Sequence, residues 1–424
     1  MTVLIFLGAL LGAMALGTPI AYALLVCGVA LMWHLDMMDA QILAQNLING
    51  ADSFPLLAVP FFMLAGEIMN VGGLSQRIIN LALTLVGHVR GGLGYVTILA
   101  AVLMAALSGS AVADTAALAA LLLPMMRAAG HDPGRAGGLI ASAGIIAPVI
   151  PPSIGFVIFG VAANVSIGKL FMAGIVPGVL LGVGIAITWW WVARNENVAP
   201  PPRASRAERV KALRSSLWAL FLPVIVLVGL KMGVFTPTEA AVVAAMYALF
   251  VATVVYRELP LARLVPVFIS AAKTTAVIMF LVAAAMVSAW LITVANLPAE
   301  LTALLQPLID KPTLLLIVIM IVTMVVGTAM DMTPTILILT PVLMPLVKAA
   351  GIDPVYFGVL FIINNAIGLI TPPVGTVLNV VAVGRMKMDT VTVGVLPFMV
   401  AQFAVMFLLV LFPQLVTVPM KWFY

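Results

Sequence analysis

Small polar residues gather in two places in an otherwise apolar chain. Ser108, Ser110, Asp114, Ser142, Ser153 and Asn164 form the first group. Thr328, Asp331, Thr333, Asn364, Asn365, Thr371, Thr376 and Asn379 form the second. Each group surrounds a broken segment. The uncharged run over residues 136–168 carries Pro148, Pro151 and Pro152, and the second half carries Pro372 and Pro373. A proline lacks an N–H and clashes with the preceding turn, so a straight helix cannot absorb these residues. A broken helix frees backbone carbonyls, which inside a bilayer are tolerated only against protein or a wet cavity. Freed carbonyls and a helix C-terminus suit a small hard cation, and a half-helix N-terminus suits an anionic group. The chemistry on offer is therefore ion-coupled binding and release.

Catalytic alternatives find no residues. There is no HExxH, no paired catalytic set and no nucleophile with a base. Gly168-Lys169 looks like the end of a phosphate loop, but Leu170 follows and Ala163 stands where the first glycine belongs, so no ATP engine is expected. For any single Ser or Thr, hydrogen bonding between helices is the ordinary role in a membrane. Clustering around two proline breaks is what points to function. Asp331 is the strongest individual residue, because an acid in an apolar region is costly. Its competing role is a helix N-cap ahead of Thr333-Pro334. Glu239, in Thr236-Pro-Thr-Glu239, reads as a capping residue rather than a proton relay.

The elements that must hold these residues follow from composition. The chain has 424 residues, 64% hydrophobic and only 8% charged. A soluble surface needs far more charge, so an all-α polytopic membrane protein is expected, with the lipid bilayer as its solvent. The net charge of +5 reports cytoplasmic loops and not a nucleic-acid partner. Cys27 is the only cysteine, which excludes an intrachain disulfide and a CxxC metal site.

Residues 1–33 carry no charge and lack a basic leader, so they read as one uncleaved span. Residues 46–70 read as a broken or tilted segment, with Asp52, Pro55, Pro60 and Glu67 embedded. Residues 74–90 read as an amphipathic interfacial helix. Residues 257–273 resemble them, ahead of a separate span over 274–299. Residues 194–214 hold six basic residues against Glu196 and Glu208 and follow Trp189-Trp190-Trp191, so a cytoplasmic linker is expected there. The expectation is about a dozen crossing helices plus two re-entrant hairpins, near 136–168 and 354–384. They fall in a first repeat over 1–193 and a second over 215–424.

The repeat is visible in the residues. A shift of 221 places Pro124, Gly130, Asp132, Pro133, Gly137, Pro151 and Pro152 on Pro345, Gly351, Asp353, Pro354, Gly358, Pro372 and Pro373. Upstream, Ser108-Gly109-Ser110 meets Val326-Gly327-Thr328 only with a further shift of three. The loop over 127–135 is more basic than the one over 348–353, which favours opposite membrane sides and an inverted repeat.

Several stretches carry a family resemblance: Ser108-Gly-Ser-Ala-Val-Ala-Asp114, Ile150-Pro-Pro-Ser-Ile154, Phe171-Met-Ala-Gly-Ile-Val-Pro-Gly178, Phe235-Thr-Pro-Thr-Glu-Ala240 and Gly368-Leu-Ile-Thr-Pro-Pro-Val-Gly375. In these the chain resembles the large membrane subunit of tripartite ATP-independent periplasmic (TRAP) transporters. Asn49-Gly-Ala-Asp-Ser-Phe54 and Ser288-Ala-Trp-Leu-Ile-Thr293 are most similar to members that carry 2,3-diketo-L-gulonate. The resemblance implies a Na⁺-driven importer in the bacterial inner membrane, with an elevator-type mobile domain built from the two hairpins. It implies two protein partners, a small four-helix membrane subunit on another chain and a periplasmic solute-binding protein, and no cofactor beyond the coupling ion. It places Na⁺ mainly on backbone carbonyls, at Ser108, Ser110, Ala147, Ile150 and Pro152 and again at Gly327, Thr328, Gly368, Thr371 and Pro373. The organic or sugar acid would lie near Ser153, Asp331 and Asn365. One departure is Ala147, where the second tip has Gly368. A self-sufficient Na⁺/dicarboxylate transporter of similar hairpin architecture is the alternative. An intramembrane enzyme or a scaffold subunit has less in its favour.

Overall fold

The computed structural model describes residues 2–194, 196, 198–382 and 386–423. Residues 1, 195, 197, 383–385 and 424, which the expected repeats, linker and second hairpin include, lie outside the described residues. Among the described residues every regular element is helical. The chain runs α1 (Thr2–Ala15), α2 (Ile20–His34), α3 (Ala40–Ala51), α4 (Ala58–Val71), α5 (Leu74–Val86), α6 (Gly92–Ser108) and α7 (Ala111–Ala128). The first hairpin is α8 (Pro133–Gly144) and α9 (Ile154–Ala163), followed by α10 (Ile167–Ala193). The second half opens with α11 (Arg206–Lys231), α12 (Pro237–Phe250), α13 (Leu264–Val294), α14 (Leu297–Leu304), α15 (Gln306–Ile309), α16 (Pro312–Ala329) and α17 (Met332–Ala349). The second hairpin is α18 (Pro354–Gly368) and α19 (Thr376–Ala382), followed by α20 (Met388–Leu411) and α21 (Gln414–Phe423).

Among the described residues nine helical segments are long and apolar enough to cross a membrane, and shorter apolar helices, hairpin arms included, accompany them. The expected single span over 1–33 is two helices. Gly17 takes a left-handed φ of +77° and Pro19 caps α2, so the chain folds back and α1 packs on α2. The expected division between 257–273 and 274–299 does not occur, because α13 runs unbroken for 31 residues. The basic stretch expected as linker is helical from Arg206 onward. Ser205 and Glu208 form a reciprocal capping box there, which satisfies two orphan donors at the helix start. Glu239 does the same for α12 with Thr236, as expected of a capping residue.

The 221 shift governs secondary structure more closely than residue types reveal. Adding 221 to both ends of α7 gives both ends of α17, and adding it to the last residue of α6 gives the last residue of α16. Asp132 and Asp353 each cap the outer arm of a hairpin, accepting from Arg135 N–H and Tyr356 N–H at 2.8 Å. Both hairpins carry a cis X–Pro bond at the tip, Pro151–Pro152 and Pro372–Pro373. The register therefore holds upstream as well, and the further shift of three is corrected. Ser110 corresponds to Asp331, and Ser108 to Ala329.

Candidate functional site

Each helix break is positioned by a short unwound step. After α6, Gly109 turns the chain with φ of +62°, and Ser110 caps α7 by accepting from Ala113 N–H at 3.4 Å. A β-carbon on Gly109 would strike the Pro152 carbonyl, so glycine lets the break sit directly against the first hairpin tip. After α16, Met330 is extended and Asp331 occupies the N-cap of α17, yet its carboxylate makes no capping hydrogen bond. Its backbone carbonyl accepts from Thr335 Oγ1 at 2.8 Å. The capping role weighed for Asp331 is thus positional only, and its side chain is open to a cavity.

That cavity measures about 510 Å³. Ser110 and Asp331 line it from the two breaks, Pro148 and Leu369 from the two tips, and Glu67 and Thr274 from α4 and α13. Three helix N-termini reach it, those of α7, α17 and α9. Such ends attract anions through their dipole and free N–H groups. Two carboxylates line the cavity and no Lys or Arg does, among the described residues. Among the lining residues, what this cavity offers an anion is helix ends and not a basic side chain.

The first tip offers open carbonyls. Ile146 O accepts from Val149 and Ile150 N–H, and Pro148 O accepts from Ser153 Oγ at 2.5 Å. Among the described residues no donor reaches the carbonyls of Ala147, Ile150 or Pro152. Beside this tip, Ser108 Oγ donates to Asp114 Oδ1 at 2.5 Å and accepts from Ser110 N–H at 3.2 Å. Asp114 is 1% exposed, and its Oδ2 is buried with no partner. A buried carboxylate oxygen without a donor is costly and calls for a cation, a proton or water. Asp114 thus adds a buried, unpaired oxygen beside the first tip that the carbonyl-based set omits. An acid in the first turn of a helix just after a Ser-Gly-Ser break was the available signal.

The second tip is built differently. Gly368 O is taken by Thr371 N–H at 3.0 Å, and Thr371 Oγ1 bonds back to Ile367 O at 2.8 Å. Gly327 packs on Gly368 so closely that a β-carbon on Gly368 would lie 2.9 Å from the Gly327 backbone. Thr328 turns its hydroxyl onto Val325 O of its own helix. Asn365 is buried, donates to Phe361 O at 2.7 Å, and keeps Oδ1 buried and unpaired. A β-carbon on Gly327 would be 3.9 Å from that oxygen. Asn365 therefore sits with Gly327 and Gly368 and does not line the cavity. Ser153 does not line it either: it is fully buried, caps α9 at Phe156 N–H and ties the first tip at Pro148 O. Of the three residues proposed for the substrate, only Asp331 reaches the cavity, joined there by Ser110. Pro373 lies at the second tip, outside the residues that line it.

Paired hairpin tips and paired helix breaks around one open cavity, in an all-helical membrane chain, define a transporter permease. The chain belongs to the TRAP family, for the model of the tripartite ATP-independent periplasmic transporter DctM component matches residues 7–415. It is 62% identical, over the full length of both chains, to the 2,3-diketo-L-gulonate TRAP transporter large permease YiaN of Escherichia coli. It is 40% identical to the sialic acid TRAP large permease SiaM of Vibrio cholerae, with 95% of each chain covered. In fold it resembles the solved YdaH transporter of Alcanivorax borkumensis, with a TM-score of 0.59 at 17% identity over 89% of this chain and 90% of the other. The protein is thus a multi-pass TRAP large permease and not an enzyme.

Proposed function

We propose that this permease imports a sugar acid of the 2,3-diketo-L-gulonate type across the bacterial inner membrane, driven by Na⁺ and supplied by a periplasmic solute-binding protein. The observation that carries this reading is the acid-lined, base-free cavity between two tips with unpaired oxygens. An anion entering a cavity lined by Glu67 and Asp331 meets repulsion unless cations sit beside it. Ala147 O, Ile150 O, Pro152 O and Asp114 Oδ2 supply oxygens for one cation, and Asn365 Oδ1 beside Gly327 and Gly368 supplies a start for a second. Hard oxygen donors of this kind suit an alkali cation. Cation first, anion second is then the electrostatic order of loading. Asp331 accepts from substrate hydroxyls, and the N-termini of α7, α17 and α9 face its carboxylate.

The two hairpins, with α6, α7, α10, α16, α17 and α20 packed on them, make the block that would move as an elevator. The remaining helices make the scaffold on which a small four-helix partner subunit would dock. The name of the 62% identical relative supports the sugar-acid assignment. Reconstitution into proteoliposomes with the small subunit and the binding protein tests the proposal. Uptake of 2,3-diketo-L-gulonate should require an inward Na⁺ gradient and the binding protein together. Uptake by the permease alone would support the self-sufficient alternative, and uptake under a proton gradient without Na⁺ would defeat the ion assignment.

A further inference from the structure

Away from the central cavity, a trough runs along α20 against α10. One cavity of about 670 Å³ is lined by Ile187, Thr188, Trp191, Leu396, Val400 and Ala404, among others. Another, of about 460 Å³, is lined by Asp132, Arg135, Thr390 and Gly394. The two share Val393 and Pro397, so they form one continuous groove with an apolar body and a charged end. From Thr390 to Ala404 the helix rises about 21 Å. One leaflet with its headgroups is about 20–22 Å thick. Trp191 lies in the trough with Arg194 5.8 Å above its ring, an arrangement suited to the interface.

We infer that this groove holds one phosphatidylethanolamine molecule, in the leaflet at the linker end of the protein. The charged end decides the headgroup. Asp132 and Arg135 stand on the same rim, a carboxylate for the ammonium and a guanidinium for the phosphate. Arg135 is half-exposed and engages Glu196 at 3.4 Å through Nη1. Glu196 is held between His131 and Arg135, so the rim presents one carboxylate, Asp132, and one guanidinium, Arg135, and a zwitterion satisfies both signs. The end is also rigid: α8 and α20 cross with backbone against backbone, where a β-carbon on Gly138 or Gly394 would collide with the other helix. The lipid would therefore ride with the hairpin block.

The test is native mass spectrometry of the full chain, purified from vesicles of equal phosphatidylethanolamine and phosphatidylglycerol. One phosphatidylethanolamine per chain should survive delipidation. Arg135→Ala should lower its retention about fivefold, the scale of one basic residue at a membrane surface. Asp132→Asn keeps the helix cap and should erase the preference over phosphatidylglycerol while the fold stays intact. Ala401→Phe fills the trough and should expel the lipid with both charged residues present. Equal retention of the two lipids by the native chain would overturn the inference. So would unchanged retention in Ala401→Phe, or a helix of the small subunit seated in the trough when the assembled complex is cross-linked from Val400→Cys.

Discussion

The two halves fold alike but place their polar groups on opposite partners. In the first half the helix pair supplies the side chains, Ser108 and Asp114, and the hairpin supplies open carbonyls at a tip that carries Ala147. In the second half the hairpin supplies the side chains, Asn364, Asn365 and Thr371, and the helix pair supplies Gly327. The 221 shift sets Gly144 where Asn365 stands and Ala329 where Ser108 stands. Each half thus fills one side of its junction and thins the other. The duplicated backbone presents oxygens at both junctions, but from opposite members of the duplication. The tethers differ as well. Ser153 ties the first tip from inside, whereas Asn379 Nδ2 ties the second at Val374 O, 3.1 Å away.

The largest test of this contrast is Asp114→Ala. Removing a buried carboxylate from a charged partner typically costs 3–5 kcal/mol. Na⁺-dependent uptake at fixed Na⁺ should fall by about two orders of magnitude, and Thr335→Ala, at the corresponding place in the second half, should leave it near native. Equal losses would dissolve the contrast.

Next comes Gly368→Ala, which forces the Gly327 backbone to give way. Overpacking of this kind costs about 1–3 kcal/mol, and uptake should drop about tenfold. The reverse change in the first tip, Ala147→Gly, should stay within about twofold. If both glycine–alanine swaps behave alike, the close approach in the second half has no bearing on transport.

Asp331→Asn should raise the substrate KM about tenfold, the scale of one hydrogen bond to a charged group, with the Na⁺ dependence unchanged. A shifted Na⁺ dependence would move Asp331 from the substrate to the ions. The smallest effect belongs to Ser153→Ala. Loss of its cap costs about 1 kcal/mol, read as a lower melting temperature of the purified protein with KM unaltered. A changed KM would return Ser153 to the substrate cavity.

Much of the frame was legible beforehand. Proline pairs can only be breaks, so both hairpin tips were readable as residues alone. Capping at Thr236-Pro-Thr-Glu239 was equally readable, because it is local and obeys a fixed spacing. The repeat was legible downstream, where Pro, Gly and Asp match. It was misaligned upstream, where Ser-Gly-Ser and Gly-Thr look alike but occupy different turns. The span over 1–33 and the helix α13 were misdivided for one reason. Length and hydropathy do not show where an apolar chain bends, and Gly17 costs nothing visible until its φ is known.

The sequence by itself determined the class of the molecule: apolar helices in a bilayer, two broken hairpins, a 221-residue duplication and a family. These follow from composition, proline sterics and fixed local spacings. Only the tertiary structure decided which polar residues share the cavity. Each helical position turns a side chain about 100° from the last, and helices apolar on every face give no pattern to show which way they point. Ser110 and Asp331 face the cavity and Ser153 and Asn365 face inward, because packing of hairpin on helix pair sets how each helix and the cap ahead of it are turned.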